Sequence, residues 1–167
     1  NNRDHRKICV VDGHTAFTGG INLADEYING KERFGHWKDS AIRLKGEAAW
    51  SMTVMFLTMW EYVSGDREDI PTYRPRVLPS EAWESKGWVQ PYTDSPLVRE
   101  PVAETVYLNL INKAREYIYI TTPYLIINDS VNTALRAASQ SGVDVRIFTP
   151  HIPDKKTVFE MTRNVGS

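Results

Sequence analysis

The chain has 167 residues, 41% of them hydrophobic and 25% charged, which is enough for a globular fold with a core. A net charge of −1 excludes the strongly basic field that gathers nucleic acid or anionic lipid, and a single cysteine excludes an internal disulfide framework. No run of roughly eighteen or more uncharged apolar residues reads as a membrane span, and no signal peptide is evident. The first residue is not Met and the chain stops just after a helix-like segment. It is therefore expected to be a piece of a longer protein.

Residues 6–11 read as a strand, with β-branched Ile8, Val10 and Val11. Period-2 alternation sets His5, Lys7, Cys9 and Val11 on one face and Arg6, Ile8 and Val10 on the other. Cys9, among apolar neighbours, reads as a small core residue. Asp12-Gly13 signals a tight hairpin turn, because a primed turn wants positive φ at its centre. Residues 15–18 then return antiparallel, and Gly19-Gly20 lets the chain turn sharply. The segment 23–30 reads as a short helix or turn closed by Asn29-Gly30, and 31–36 as a polar loop. Asp25 or Glu26 in it could orient an imidazole, or simply face solvent.

Trp37 to Leu44 reads as a strand ended by Gly46. Residues 47–64 read as a helix whose apolar residues (Trp50, Val54, Met55, Leu57, Met59, Tyr62) run nearly all round, so a deeply buried helix is expected. Contact with a lipid interface is the other reading of such a Trp/Met-rich helix. Residues 64–80, with Pro71, Pro75 and Pro79, have linker composition. A short strand is predicted at 87–92 and turns at 93–101. A helix then opens at Pro101, with Val102, Ala103, Val106, Tyr107, Leu110, Ile111 and Ala114 as its apolar stripe. A strand at 117–121, a helix capped by Asn128-Asp129-Ser130 and stopped by Gly142, and a strand from Val143 follow. Strand, helix, strand predicts a parallel pair. Pro153 opens a last predicted helix, 154–164.

The chemistry concentrates in the first twenty-two residues, as His5-x-Lys7-x4-Asp12-x6-Gly19-Gly20-x-Asn22. A neutral imidazole can attack phosphorus and so divide one displacement into two. A lysine beside it can hold phosphoryl oxygens, and an Asn amide with glycine N–H groups can complete an anion cradle. This scheme calls for no metal and no cofactor, and the sequence has no HExxH motif and no Cys/His cluster.

That spacing resembles the HKD motif of the phospholipase D superfamily. The stretches "GGINLADEYI", "FGHWKDSAIRLKG", "YIYITTPYLIINDSVNTALRAASQSGVDVRI" and "TPHIPDKK" narrow the likeness to bacterial cardiolipin synthases. The resemblance implies an α/β fold, a phospholipase-D-like mixed sheet flanked by helices, present as a partial two-repeat arrangement. It implies the C-terminal part of a first domain in 1–66, a linker in 67–99 and the N-terminal part of a second domain in 100–167. It implies phosphatidyl transfer between two phosphatidylglycerol molecules, with His5 as nucleophile or general acid. Lys7, Gly20 and Asn22 would lie at the phosphate, Glu26 beside it, and Asp12 would hold the strand–turn geometry. His14 and His151 have no Lys two residues on, and His36-x-Lys38 is followed by Arg43 where the motif wants Asp, so no second HKD motif is expected in this sequence. One motif cannot supply both nucleophile and acid. The isolated chain is thus expected to be inactive, or to build a site as a homodimer. The longer protein would sit at the bacterial cytoplasmic membrane through segments outside this chain, which itself would be soluble. A phosphodiesterase or nuclease of the same superfamily is the alternative, as is a non-catalytic interaction module; the acidic balance argues against nucleic acid.

Overall fold

A computed structural model describes residues 4–33, 35–76, 87–94 and 99–150. The chain divides into two compact units, Asn1–Pro91 and Tyr92–Ser167. His151 and the predicted helix 154–164 lie outside the described residues.

In the first unit, β1 (Ile8–Val11), β2 (Thr15–Gly19) and β3 (Ala41–Lys45) form an antiparallel sheet in that order. The β1–β2 turn is the one the Asp12-Gly13 signal predicts. Asp12 has φ 52° and Gly13 φ 67°, and the His14 N–H donates to the Val11 carbonyl at 3.3 Å. Gly13 also packs closely, since a Cβ there would stand 2.8 Å from the Tyr73 carbonyl oxygen.

Helix α1 (Glu47–Ser64) has the bounds read from the sequence, with Gly46 before it and left-handed Gly65 after it. It rests on one face of the sheet. Ala49 and Met52 meet Ala16, with Ile8, Val10 and Leu44 packed around them. Thr53 is buried too, and its hydroxyl donates to the Ala49 carbonyl at 3.0 Å. The expectation of burial all round is corrected here. Ala49, Met52, Thr53 and Leu57 are buried, whereas Phe56, Trp60, Tyr62 and Val63 are exposed. A single sheet layer covers only one stripe of a helix, whatever the composition of the other side.

Cys9 is a second correction, because it is exposed. Ile8 and Val10 take the core face, so the strand's period of two turns Cys9 outward with the His5 and Lys7 side. The strand predicted from Trp37 begins only at Ala41. Before that point backbone N–H groups bond to side chains instead of a ladder: Trp37 to Asn29 at 2.6 Å and Ser40 to Asp39 at 2.8 Å.

The second unit contains α2 (Val102–Lys113), β4 (Tyr117–Thr121), α3 (Asp129–Gln140) and β5 (Asp144–Phe148), with β4 and β5 parallel as expected. The Asn128 side chain caps α3 by accepting from the Val131 N–H at 3.0 Å, and Gly142 follows that helix at φ 93°. Helix α2 starts one residue after Pro101, and the Asp94 carboxylate accepts from its Ala103 N–H at 3.0 Å. Ile111, Leu125, Leu135 and Val143 are buried. Tyr107 and Leu110, expected in the α2 stripe, are exposed, because α2 too is covered on one side only. No strand forms among residues 87–92: Trp88 and Val89 are exposed, and Pro91 has no N–H for a ladder. The class is therefore α/β, with antiparallel pairing in the first unit and parallel pairing in the second.

Gly13→Ala should lower stability more than Gly65→Ala, although both sites have positive φ. Gly65 has open space for a Cβ and should cost about 1 kcal/mol. Gly13 meets backbone as well and should cost roughly 2–3 kcal/mol. Equal losses on thermal or urea unfolding would mean that the turn does not pack as described.

Candidate active site

The β1–β2 hairpin folds the motif in half. His5 and Lys7 lie just before β1, while Gly19 ends β2 and Gly20 and Asn22 follow it. The pairing runs Val11↔Thr15 to Ile8↔Thr18. Run back further, the same register leads Lys7 toward Gly19 and His5 toward Ile21. Residues far apart in sequence are thus led to one end of one hairpin.

Lys7 and His5 already touch. The Lys7 Nζ lies 3.0 Å from His5 Nδ1, 3.1 Å from Nε2 and 2.6 Å from the His5 carbonyl oxygen. Only a ring nitrogen without a proton can accept from that ammonium, so the tautomer decides which one does. Next door, Asp4 clasps Arg6. The carboxylate accepts from the Arg6 backbone N–H at 3.0 Å and from Nη2 at 2.6 Å. The Arg6 side-chain hydrogen bond is the main reason the Asp4 carboxyl lies below the usual carboxylate range. The same pairing raises Arg6.

The other end of the motif is tightly packed. The Gly20 N–H donates to the Ser40 carbonyl at 3.3 Å, and a Cβ on Gly20 would stand 2.5 Å from Asp39 Oδ1. Asp39 also accepts from Trp37 Nε1 at 3.1 Å. Trp37 in turn meets Tyr27 edge to face, with ring centroids 4.9 Å apart. Asn22 is half-buried, and among the described residues no hydrogen bond holds its side-chain amide.

Asp12 occupies the exposed turn at positive φ, consistent with a geometric part in the hairpin. Glu26 is half-buried and its Oε1 pairs with Arg33 Nη1 at 3.2 Å. Among the described residues neither Asp25 nor Glu26 bonds His5. Asn29, Trp37 and Asp39 were missed by sequence reasoning as partners of the Gly20 turn. Asn29-Gly30 had signalled only the end of a segment, and no spacing rule reports a side chain bonding backbone eight residues on. Among the described residues no group of three or more His, Cys, Asp or Glu gathers as a metal site, and no helix is long and apolar enough to cross a membrane.

An imidazole, an ammonium against it, a glycine turn and an open amide are groups that suit a tetrahedral oxyanion. Residues 107–165 match the family model described as "Cardiolipin synthase, PLD-like domain". A cardiolipin synthase of Geobacillus thermodenitrificans is 38% identical over 98% of this chain. Cardiolipin synthase 2 of Bacillus anthracis is likewise 38% identical over 98%. The chain belongs to the cardiolipin synthase family. An uncharacterized protein of Streptococcus mutans is 51% identical, also over 98% of the chain. The chain spans about a third of the length of these curated relatives, 35% of the Streptococcus protein and 32% of the two cardiolipin synthases. The family-model match covers much of the second unit, and the relatives extend the likeness across the His5 stretch.

Removing Arg6 should move the Asp4 carboxyl up toward its ordinary value. Because that carboxyl is depressed in the folded protein, the pair's stabilisation is complete above the ordinary carboxylate range and is lost as pH falls through the depressed value. A carboxyl titration followed by NMR in Arg6→Ala checks the direction. An unchanged Asp4 midpoint would show that the clasp is not formed in solution.

Proposed function

We propose that this chain carries one half of the active site of a phosphatidyltransferase that makes cardiolipin from two phosphatidylglycerol molecules. The observation that supports it most is the Lys7 ammonium lying against both His5 ring nitrogens at one end of a hairpin that also delivers Gly20 and Asn22. The family relationship adds the substrate class. Residues 1–66 would close a first phospholipase-D-like domain, 67–99 would link, and 100–167 would open a second. Membrane anchoring would come from segments outside this chain.

In this reading a ring nitrogen, His5 in one assignment, attacks the phosphodiester phosphorus. The N–P bond forms as the P–O bond to the leaving glycerol breaks. A second histidine from another motif protonates that leaving oxygen. The same group then takes the proton from a hydroxyl of the second phosphatidylglycerol, whose oxygen attacks phosphorus and releases the imidazole. In the other assignment His5 is the acid and base. Lys7 leaves the His5 carbonyl for the phosphoryl oxygens and, with the Asn22 amide, holds charge in the transition state, while the Gly20 turn, its N–H held by Ser40, sets where Asn22 stands. Asp12 keeps the turn, and Glu26 lines the approach. A second motif must come from further sequence or from a second copy of the chain, so a single copy of this chain should not turn over.

Phosphatidyl transfer from labelled phosphatidylglycerol should appear only when the chain is extended through about 60 further residues, enough to complete an average domain. In that longer form His5→Ala should lower the rate at least about 10³-fold and Lys7→Ala about 10²–10³-fold. Cleavage of DNA in preference to phosphatidylglycerol would transfer the reading to a nuclease. Full activity in His5→Ala would end the catalytic reading altogether. Turnover by the short chain would mean that two copies complete the site.

A further inference from the structure

The Gly20 turn is held by a chain of contacts that begins well away from it, at the end of the 3₁₀ turn Asp25–Ile28. Asn29 stands there in the left-handed conformation, at φ 59°. Its side chain pairs with the Trp37 backbone as a strand would, taking the Trp37 N–H at 2.6 Å and giving to the Trp37 carbonyl at 2.9 Å. Tyr27 closes on the Trp37 ring from the same turn. The indole Nε1–H then holds one oxygen of Asp39 at 3.1 Å, and the Ser40 N–H holds the other at 2.8 Å. That carboxylate leaves no room for a side chain on Gly20.

We propose that Asn29 is a positioning residue for the anion cradle, acting through Trp37 and Asp39 on the Gly20 turn. This rests on the reading of Gly20 and Asn22 as phosphate-binding. The segment 23–30 would thus serve the site through Tyr27 and Asn29, by geometry, and not through a carboxylate aimed at the imidazole. The physical reason is local. A Gly-Gly turn has wide backbone freedom, and an anion gains most from donors already fixed in place, here the Asn22 amide just beyond a Gly20 whose own N–H is held by Ser40. The Asn29 clamp supplies that fixing, because it locks the loop whose far end carries Asp39.

The left-handed backbone makes a clean test available, because Asn29→Gly deletes the side chain without straining φ. The ¹⁵N-labelled chain is titrated with inorganic phosphate and Gly20 amide exchange is measured beside it. In Asn29→Gly the Trp37 Nε1–H signal should move and the Gly20 amide should exchange faster. Phosphate should bind roughly three- to tenfold more weakly, the usual effect of losing one or two neutral hydrogen bonds. Asn29→Asp keeps the acceptor for the Trp37 N–H and should fall between. Trp37→Phe keeps a ring against Tyr27, removes the indole donor, and should reproduce the Gly20 effects even if Asn29→Gly does not fold. An altered Trp37 signal with unchanged Gly20 exchange and phosphate affinity overturns the proposal. Failure of the unaltered chain to bind phosphate would count against the phosphatidyltransferase reading, while the Gly20 exchange would still decide whether Asn29 positions the turn.

Discussion

Everything in the candidate site depends on one turn. Val11 to His14 reverses the chain with positive φ at Asp12 and Gly13. That reversal fixes which residue of β1 faces which residue of β2. Because side chains alternate with a period of two, a slip of one residue would put Ile8 and Val10 in water and drive Cys9 and Val11 into the core. The apolar contacts of Ile8 and Val10 with Ala16, Ala49 and Met52 hold the register against such a slip. The polar motif is thereby placed by an apolar core on the other face of β1. Gly13 links the turn to the Tyr73 backbone, so the 3₁₀ turn Ile70–Tyr73 also helps to hold the hairpin.

Two different devices arrange the two ends of the motif. On the His5 side short-range charge pairing dominates. Asp4 engages Arg6, while Lys7 reaches back to the His5 ring and carbonyl. These groups are partly exposed, so the pairing orders side chains more than it stabilises the fold. On the Gly20 side hydrogen bonds to the Asp39 carboxylate and a close backbone approach dominate, through Ser40, Asp39 and Trp37. A mobile cation beside a rigid backbone turn is a workable division for phosphoryl chemistry. The ammonium can follow charge as it develops, and the turn that places the Asn22 amide need not move.

Much of this was legible in the sequence, for physical reasons that differ by element. Helix α1 could be bounded to the residue because glycines flank a run that contains no Gly or Pro of its own. The α3 cap was legible because Asn128 precedes a periodic apolar stripe, and β4 because Tyr117–Thr121 is β-branched and aromatic. The motif could be read as a set because its spacing resembles the HKD pattern of the phospholipase D superfamily, and Asp12-Gly13 within it signalled the hairpin. Other features needed coordinates. The exposure of Phe56, Trp60 and Leu110 depends on how many layers cover each helix, which composition does not encode. The exposure of Cys9 followed from the strand's own parity once Ile8 and Val10 were known to face the core. The late start of β3 came from Asn29 and Asp39 side chains competing with the ladder for backbone N–H groups, an outcome no propensity scale contains.

The most direct test of the account is a crystal structure of the chain with orthovanadate, a tetrahedral stand-in for the phosphoryl group. The account predicts the ion at the open end of the hairpin, with Lys7 Nζ turned from the His5 carbonyl onto a vanadate oxygen. The Asn22 amide should touch the same ion, with the Gly20 turn beside it and a His5 ring nitrogen facing the metal atom. An ion bound by His5 and Lys7 alone, with Gly20 and Asn22 remote from it, would contradict the claim that the hairpin brings both ends of the motif into one site.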